Sequence, residues 1–124
     1  PLITRFWPGG LTLILYKSAA VPPAVSPLST VAVRLPDLSL TRQLIAAVGM
    51  PLAVTSANRS GQPSPRTAPK VMAQLQGRIA ALLDGGPCPG GVPSTILDCT
   101  TDPPRVLRVG AIPVTALQAL TPLA

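Results

Sequence analysis

The sequence predicts an α/β chain, and three observations carry that reading. Short apolar runs, partly β-branched, recur between turn residues, as at Leu11–Tyr16 and residues 30–34. Two longer stretches, Ser39–Val48 and residues 67–76, instead space their apolar residues three and four apart, the period of an amphipathic helix. The 17 prolines fall mainly between these runs, where they fix φ and end elements rather than form a low-complexity tract. At 124 residues and 47% hydrophobic side chains, the chain is long enough for one domain with a core. No internal repeat is visible.

The chain opens at Pro1 without a methionine, and PLITRFWPGG reads as the end of an element already under way, so an N-terminally incomplete chain is expected. Phe6 and Trp7 precede a Pro-Gly-Gly turn, and Leu11–Tyr16 follows as a strand. A Pro-rich connection then leads to a strand over residues 30–34. Its alternation puts Thr30, Ala32 and Arg34 on one side and Val31 and Val33 on the other; two polar groups on one sheet face need a reason. Ser39–Val48 is a helix with an apolar stripe of Leu40, Leu44, Ile45 and Val48, stopped by Gly49.

Residues 51–55 are β-prone, and residues 56–61 break that run with Ser, Asn and Gly, which favour turns. Amides and hydroxyls are then left pointing outward ahead of a helix capped at Thr67, an arrangement that can cradle an anion. Val71, Met72 and Leu75 mark that helix, and Gly77 ends it. Residues 79–83 read as a strand emptying into the glycine loop of residues 84–91, which includes Gly90 and Gly91. No GK[ST] follows, so it is not a Walker phosphate loop. Residues 96–99 and 105–108 are two further strands. Arg105 and Arg108, three apart, are expected on opposite sides with different jobs. Residues 113–120 read as a short terminal helix.

Ten Lys and Arg against four Asp give a charge of +6, and eight of the ten are Arg, the side chain best shaped for phosphate or carboxylate. An anionic partner is expected. One Trp, one Tyr and one Phe make no stacking platform for single-stranded nucleic acid, so RNA contact through phosphates stays open and base readout has no support. No apolar run approaches the roughly 20 residues of a membrane helix, and no leader is visible; the chain reads as soluble and cytoplasmic, with no membrane partner. Cys88 and Cys99 lack any His to complete a metal cage and read as reduced, small packing residues. With no His and no Glu, acid–base pairs and triads are nearly excluded. Ser, Thr, Asn, Arg and backbone amide remain. They suit a reaction whose nucleophile is already an anion and whose reactants must be held in line at phosphorus, such as nucleotidyl transfer to a carboxylate.

Five blocks carry a family resemblance: Arg5-Phe6-Trp7-Pro8-Gly9 with Leu11-Thr12; Val31-Ala32-Val33-Arg34; Thr55-Ser56-Ala57-Asn58 with Ser60-Gly61 and Pro63-Ser64; Asp84-Gly85-Gly86 with Gly90-Gly91 and Ser94-Thr95; and Leu107-Arg108 with Gly110. In order and spacing they resemble the YrdC family, whose members are threonylcarbamoyl-AMP synthases. The resemblance implies a twisted mixed sheet with flanking helices around a basic cavity, of which residues 1–124 would be the C-terminal two-thirds, the N-terminal part missing. It implies that L-threonine, bicarbonate and ATP are joined with release of pyrophosphate, Mg2+ accompanying ATP, and that the product feeds tRNA modification at adenosine 37. tRNA or a tRNA-modifying transferase complex would be the partner.

By the same resemblance Arg34 pairs with the threonine carboxylate, and Ser94 and the backbone at Val54 help seat the amino acid. Thr30, Ser56, Ser64 and Arg108 contact ATP, and Asn58 shapes the Ser56 loop. No acid or base is assigned; Arg34, Ser56, Asn58 and Arg108 act by positioning. Arg59, Arg66 and Arg105 are left as solvated or RNA-facing charges. Gly10 and Val109 stand where the family often has Pro, both backbone adjustments. A Lys/Arg block that family members carry upstream is absent, so the 124-residue piece alone is expected to be catalytically poor. Two other readings are a YrdC-like carbamoyl-adenylate domain of a hydrogenase-maturation carbamoyltransferase and a non-catalytic RNA-binding module.

Overall fold

The computed structural model describes residues 1–89 and 91–124; Gly90, part of the glycine loop, lies outside the described residues. The chain divides into two compact units, one of Pro1–Gly49 with Val92–Ala124 and one of Met50–Gly91.

The first unit is built on a four-stranded mixed sheet flanked by helices, as expected for its class. Its elements are α1 (Leu2–Phe6), β1 (Leu11–Tyr16), β2 (Thr30–Val33), α2 (Ser39–Val48), β3 (Thr95–Asp98), β4 (Arg105–Arg108) and, after these, a helix over Val114–Gln118. The sheet order is β2-β1-β3-β4. β1 is antiparallel to β2 and parallel to β3, and β3 is antiparallel to β4. Alternation divides the side chains between two faces. Leu11, Leu13 and Leu97 lie on one face, where Leu117 of the terminal helix, Phe6, Trp7, Val33 and Val106 pack on them. Leu11, Leu97 and Leu117 are fully buried, each worth about 1.5–3 kcal/mol on transfer from water. The Trp7 indole N–H donates to the Leu11 carbonyl at 2.7 Å, so the aromatic turn closes one edge of this core.

The opposite face is the polar one. Its rows follow from the register: Thr12 pairs with Ile96 and Ile96 with Arg108, while Ala32 pairs with Ile14, Ile14 with Asp98 and Asp98 with Arg105. A register irregularity between Ile96 and Leu97 leaves Leu107 unpaired in β4. That extra residue corrects one expectation. Strict alternation puts Arg105 and Arg108 on opposite sides, whereas the bulge returns both to the polar face.

Met50–Gly91 holds one helix, Ala68–Leu75, designated α3, and no strand among its described residues. Residues 51–55 and 79–83, expected as strands, are therefore not strands. A strand needs a ladder partner, and here none pairs with them: Val54 is 81% exposed and Leu83 60%. Gly49 ends α2 at φ 75°, the left-handed conformation expected of a helix-stopping glycine, whereas α3 ends at Leu75 with Gln76 as C-cap and Gly77 lies in the turn beyond it at φ 74°. The stripe on α2 predicted the helix correctly, but none of its residues is buried, and Leu44 and Val48 are exposed. No helix of the described residues is long and apolar enough to cross a membrane.

Candidate functional site

At one end of the polar face, three side chains meet. The Ser94 hydroxyl lies 2.7 Å from that of Thr12, and Arg108 donates Nε–H to the Ser94 carbonyl at 3.0 Å and Nη2–H to the Ser94 hydroxyl at 3.1 Å. Ser94 is buried and Arg108 reaches in from an exposed position. Of the five guanidinium N–H groups, two are used on Ser94 and the other three have no partner among the described residues. Thr95, next to Ser94, is fully buried on the leucine side. Its hydroxyl donates to the Ile112 carbonyl at 2.6 Å and accepts from the amides of Gly110 and Ile112 at 2.9 and 3.0 Å.

Thr30 opens β2 opposite Tyr16, on the polar side, and its carbonyl accepts from the Ser26 hydroxyl at 2.8 Å. β2 ends at Val33, and Arg34 is next in the alternation on the Thr30 side. Its segment is tethered by Gly9, whose amide donates to the Leu35 carbonyl at 2.9 Å. Arg34 is exposed and its guanidinium makes no hydrogen bond or ion pair among the described residues. Thr30, Ser94 and Arg108 thus stand on one side of the sheet, away from the leucine core, and Arg34 directly follows β2. Arg105 does something else, its Nη2 lying 3.9 Å from the Asp98 carboxylate. Asp98 also accepts from the Thr100 hydroxyl at 2.6 Å and the Thr100 amide at 2.9 Å. The two Thr100 bonds hold its carboxyl below the usual range, and Arg105 adds to them against the opposing effect of burial.

In Met50–Gly91 the loop after residue 55 is folded on its own side chains. Asn58 donates Nδ2–H to the carbonyls of Arg59 and Gln62, both at 3.0 Å, across a turn closed by the Gln62 amide on Arg59 and by Gly61 at φ 79°. Ser64 donates to the Asn58 side-chain oxygen at 3.4 Å. Gln74 of α3 clamps the loop from below, accepting from the Arg59 amide at 2.9 Å and donating to the Pro63 carbonyl at 3.2 Å. Ser56 and Val54 are exposed. A cleft of about 310 Å3 beside this loop is lined by Ser64, Arg66, Lys70 and Gln74 among others. This unit has four cations and one carboxylate in its sequence, so the cleft lies in positive surroundings. Thr67 stands at the N-cap of α3 as expected, without a side-chain capping bond.

Thr12 and Gln74 are the partners that the sequence reading did not single out as site residues. Alternation with Leu11 and Leu13 placed Thr12 on the polar face in principle, but nothing in the sequence brought Ser94, 82 residues away, to it. Gln74 carried no signal at all. The cysteines divide: Cys99 packs against the core, where burial and then the Asp98 charge push its thiol up, whereas Cys88 is exposed and is not a packing residue. Cys88 contributes backbone instead, its amide donating to the Arg66 carbonyl at 2.8 Å and its carbonyl accepting from Arg66 Nη2 at 3.2 Å.

The family model Sua5_yciO_yrdC, described as Telomere recombination, matches residues 1–110. A threonylcarbamoyl-AMP synthase of Bacillus subtilis is 50% identical over 121 residues, 96% of this chain and 35% of that protein. One of Pyrococcus abyssi is 44% identical over 118 residues, 94% of this chain and 35% of the relative. The chain spans about a third of the length of these curated relatives. Among solved structures, P. abyssi Sua5 complexed with L-threonine superposes with a TM-score of 0.92 at 41% identity, covering 99% of this chain and 37% of that one. E. coli YciO superposes with a TM-score of 0.82 at 27% identity, over 93% of this chain and 57% of that one.

Proposed function

The chain belongs to the Sua5/YciO/YrdC family, and from that premise we propose that the protein containing it makes L-threonylcarbamoyl-AMP from L-threonine, bicarbonate and ATP. The observation that carries the reading is the likeness, over 99% of the chain, to a Sua5 solved with L-threonine. The threonine amine condenses with bicarbonate, losing water, and gives a carbamate. A carbamate oxygen attacks the α-phosphorus of ATP, the new O–P bond forms, and the bond to the β-phosphate oxygen breaks to release pyrophosphate. The nucleophile is already an anion, so the side chains present need only hold charges in line, which matches a chain without His or Glu.

Arg34, exposed and unpaired among the described residues, takes the threonine carboxylate; Ser94 and the backbone at Val54 seat the rest of the amino acid. Thr30, Ser56, Ser64 and Arg108 contact ATP, and Asn58 holds the turn that presents Ser56 and Ser64. Mg2+ would accompany ATP as the counter-ion of its phosphates. In this reading the product is consumed by a tRNA-modifying transferase acting at adenosine 37, in keeping with a cytoplasmic protein.

The test is pyrophosphate release by the full gene product that carries this sequence, beside its Arg34→Ala variant. Release needing both threonine and bicarbonate is expected, with kcat/KM for threonine about 10- to 100-fold lower in the variant, the loss of one charge-assisted contact. Release that ignores threonine would falsify the reading.

A further inference from the structure

The hydroxyl of Thr95 is the most heavily used polar group in the sheet unit, and the proposed chemistry gives it no role. It lies on the leucine side of β3, fully buried, at a position where alternation calls for an apolar side chain. A hydroxyl has one hydrogen to donate and two lone pairs. All three are engaged, by the Ile112 carbonyl at 2.6 Å and the amides of Gly110 and Ile112 at 2.9 and 3.0 Å.

These partners belong to the segment immediately after Arg108. β4 ends at Arg108, and beyond it the chain folds back on residues 93–95: the Ala111 amide donates to the Pro93 carbonyl at 2.9 Å. The approach is as close as backbone permits, since a Cβ on Gly110 would overlap the carbonyls of Pro93 and Ser94. No ladder partner serves Gly110 or Ile112 there, and without the hydroxyl two amides and one carbonyl lose their partner. On its other side Thr95 is fixed by its own amide, which donates to the Gly10 carbonyl at 2.9 Å. Thr95 therefore ties together the backbone just behind Ser94 and the backbone just behind Arg108, whose side chains meet on the opposite face.

We propose that the Thr95 hydroxyl is a positioning residue, clamping the chain beyond Arg108 so that the Arg108 guanidinium and Ser94 are held in register for ligand binding. What those two residues bind rests on the function proposed above; the clamp itself does not. Loss of the hydroxyl removes the partner of two amides and one carbonyl and lets the two backbones separate.

The experiment uses the full gene product with Thr95→Val, Thr95→Ser and Thr95→Ala, and two readouts. One is the nitrogen-15 resonance and solvent exchange of the Arg108 Nε–H group, which needs no activity. The other is the division of kinetic effects between KM and kcat for pyrophosphate release. Val and Ala should speed exchange of the Arg108 Nε–H and raise KM for threonine and ATP about tenfold with little change in kcat, the pattern of lost ground-state binding. Ser, which keeps the hydroxyl, should match the parent in both. A merely structural role predicts the reverse: lower melting or less active protein, with KM and the Arg108 resonance unmoved, and that result overturns the proposal. If the Val variant does not fold, Ser and Ala still decide, because they differ only in the hydroxyl. If Nε–H exchange follows the hydroxyl but the parent releases no threonine-dependent pyrophosphate, the clamp stands and the functional reading fails.

Discussion

Asp98 accepts two hydrogen bonds from Thr100 and stands beside Arg105, and each contact favours its charged form. Its folded pKa is lowered, so the unfolded chain binds a proton there more readily than the folded one. The stabilisation is present above the unfolded carboxylate pKa and is lost as pH falls through the folded one. Urea melts taken at successive pH values below about 4 should therefore show the parent losing stability more steeply than Asp98→Asn, whose slope flattens in that window. The role of Arg105 in this contact was only half legible. Spacing alone sends it to the face opposite Arg108, and one unpaired residue in β4 reverses that. A bulge is a three-dimensional event, set by how β3 and β4 pair, and a single strand's composition does not announce it. The polar side of Thr30 was legible because β2 alternates without interruption from Thr30 to Val33.

Elements with a local cause were readable. α2 needs only its own periodicity and a stop, and Gly49 supplies the stop at φ 75° with open space around its Cα. Gly49→Ala should cost about 1–2 kcal/mol through the left-handed backbone alone, read as a lower urea midpoint with an unchanged slope. Elements that depend on a distant partner were misread. Residues 51–55 and 79–83 have the composition of strands, but strand propensity records fitness for a pleated, half-covered surface, and Met50–Gly91 contains no such surface among its described residues. The 56–64 loop was readable as a loop, since Ser, Asn and Gly disfavour both ladders. Its clamp by Gln74 was not, because a glutamine on a helix carries no mark of what it will reach.

At the scale of the molecule, the two compact units differ in what holds them. Pro1–Gly49 with Val92–Ala124 has four paired strands over buried leucines; Met50–Gly91 has α3 and loops tied by side-chain bonds. Hydrogen exchange should follow that difference. Amides of β1 and β3 should exchange at least about a hundredfold more slowly than those of residues 50–64, read by mass spectrometry on digested protein. The parallel pairing of β1 with β3 has one further consequence, in time. Leu11 leaves the ribosome long before Thr95 exists, because the whole of Met50–Gly91 is translated between them. At about 5–20 residues per second, the newborn β1 waits roughly 4–16 s with one edge bare. During that interval β2 is its only native sheet neighbour, and the nascent hairpin is a natural client for whatever shields unfinished sheets in the cell.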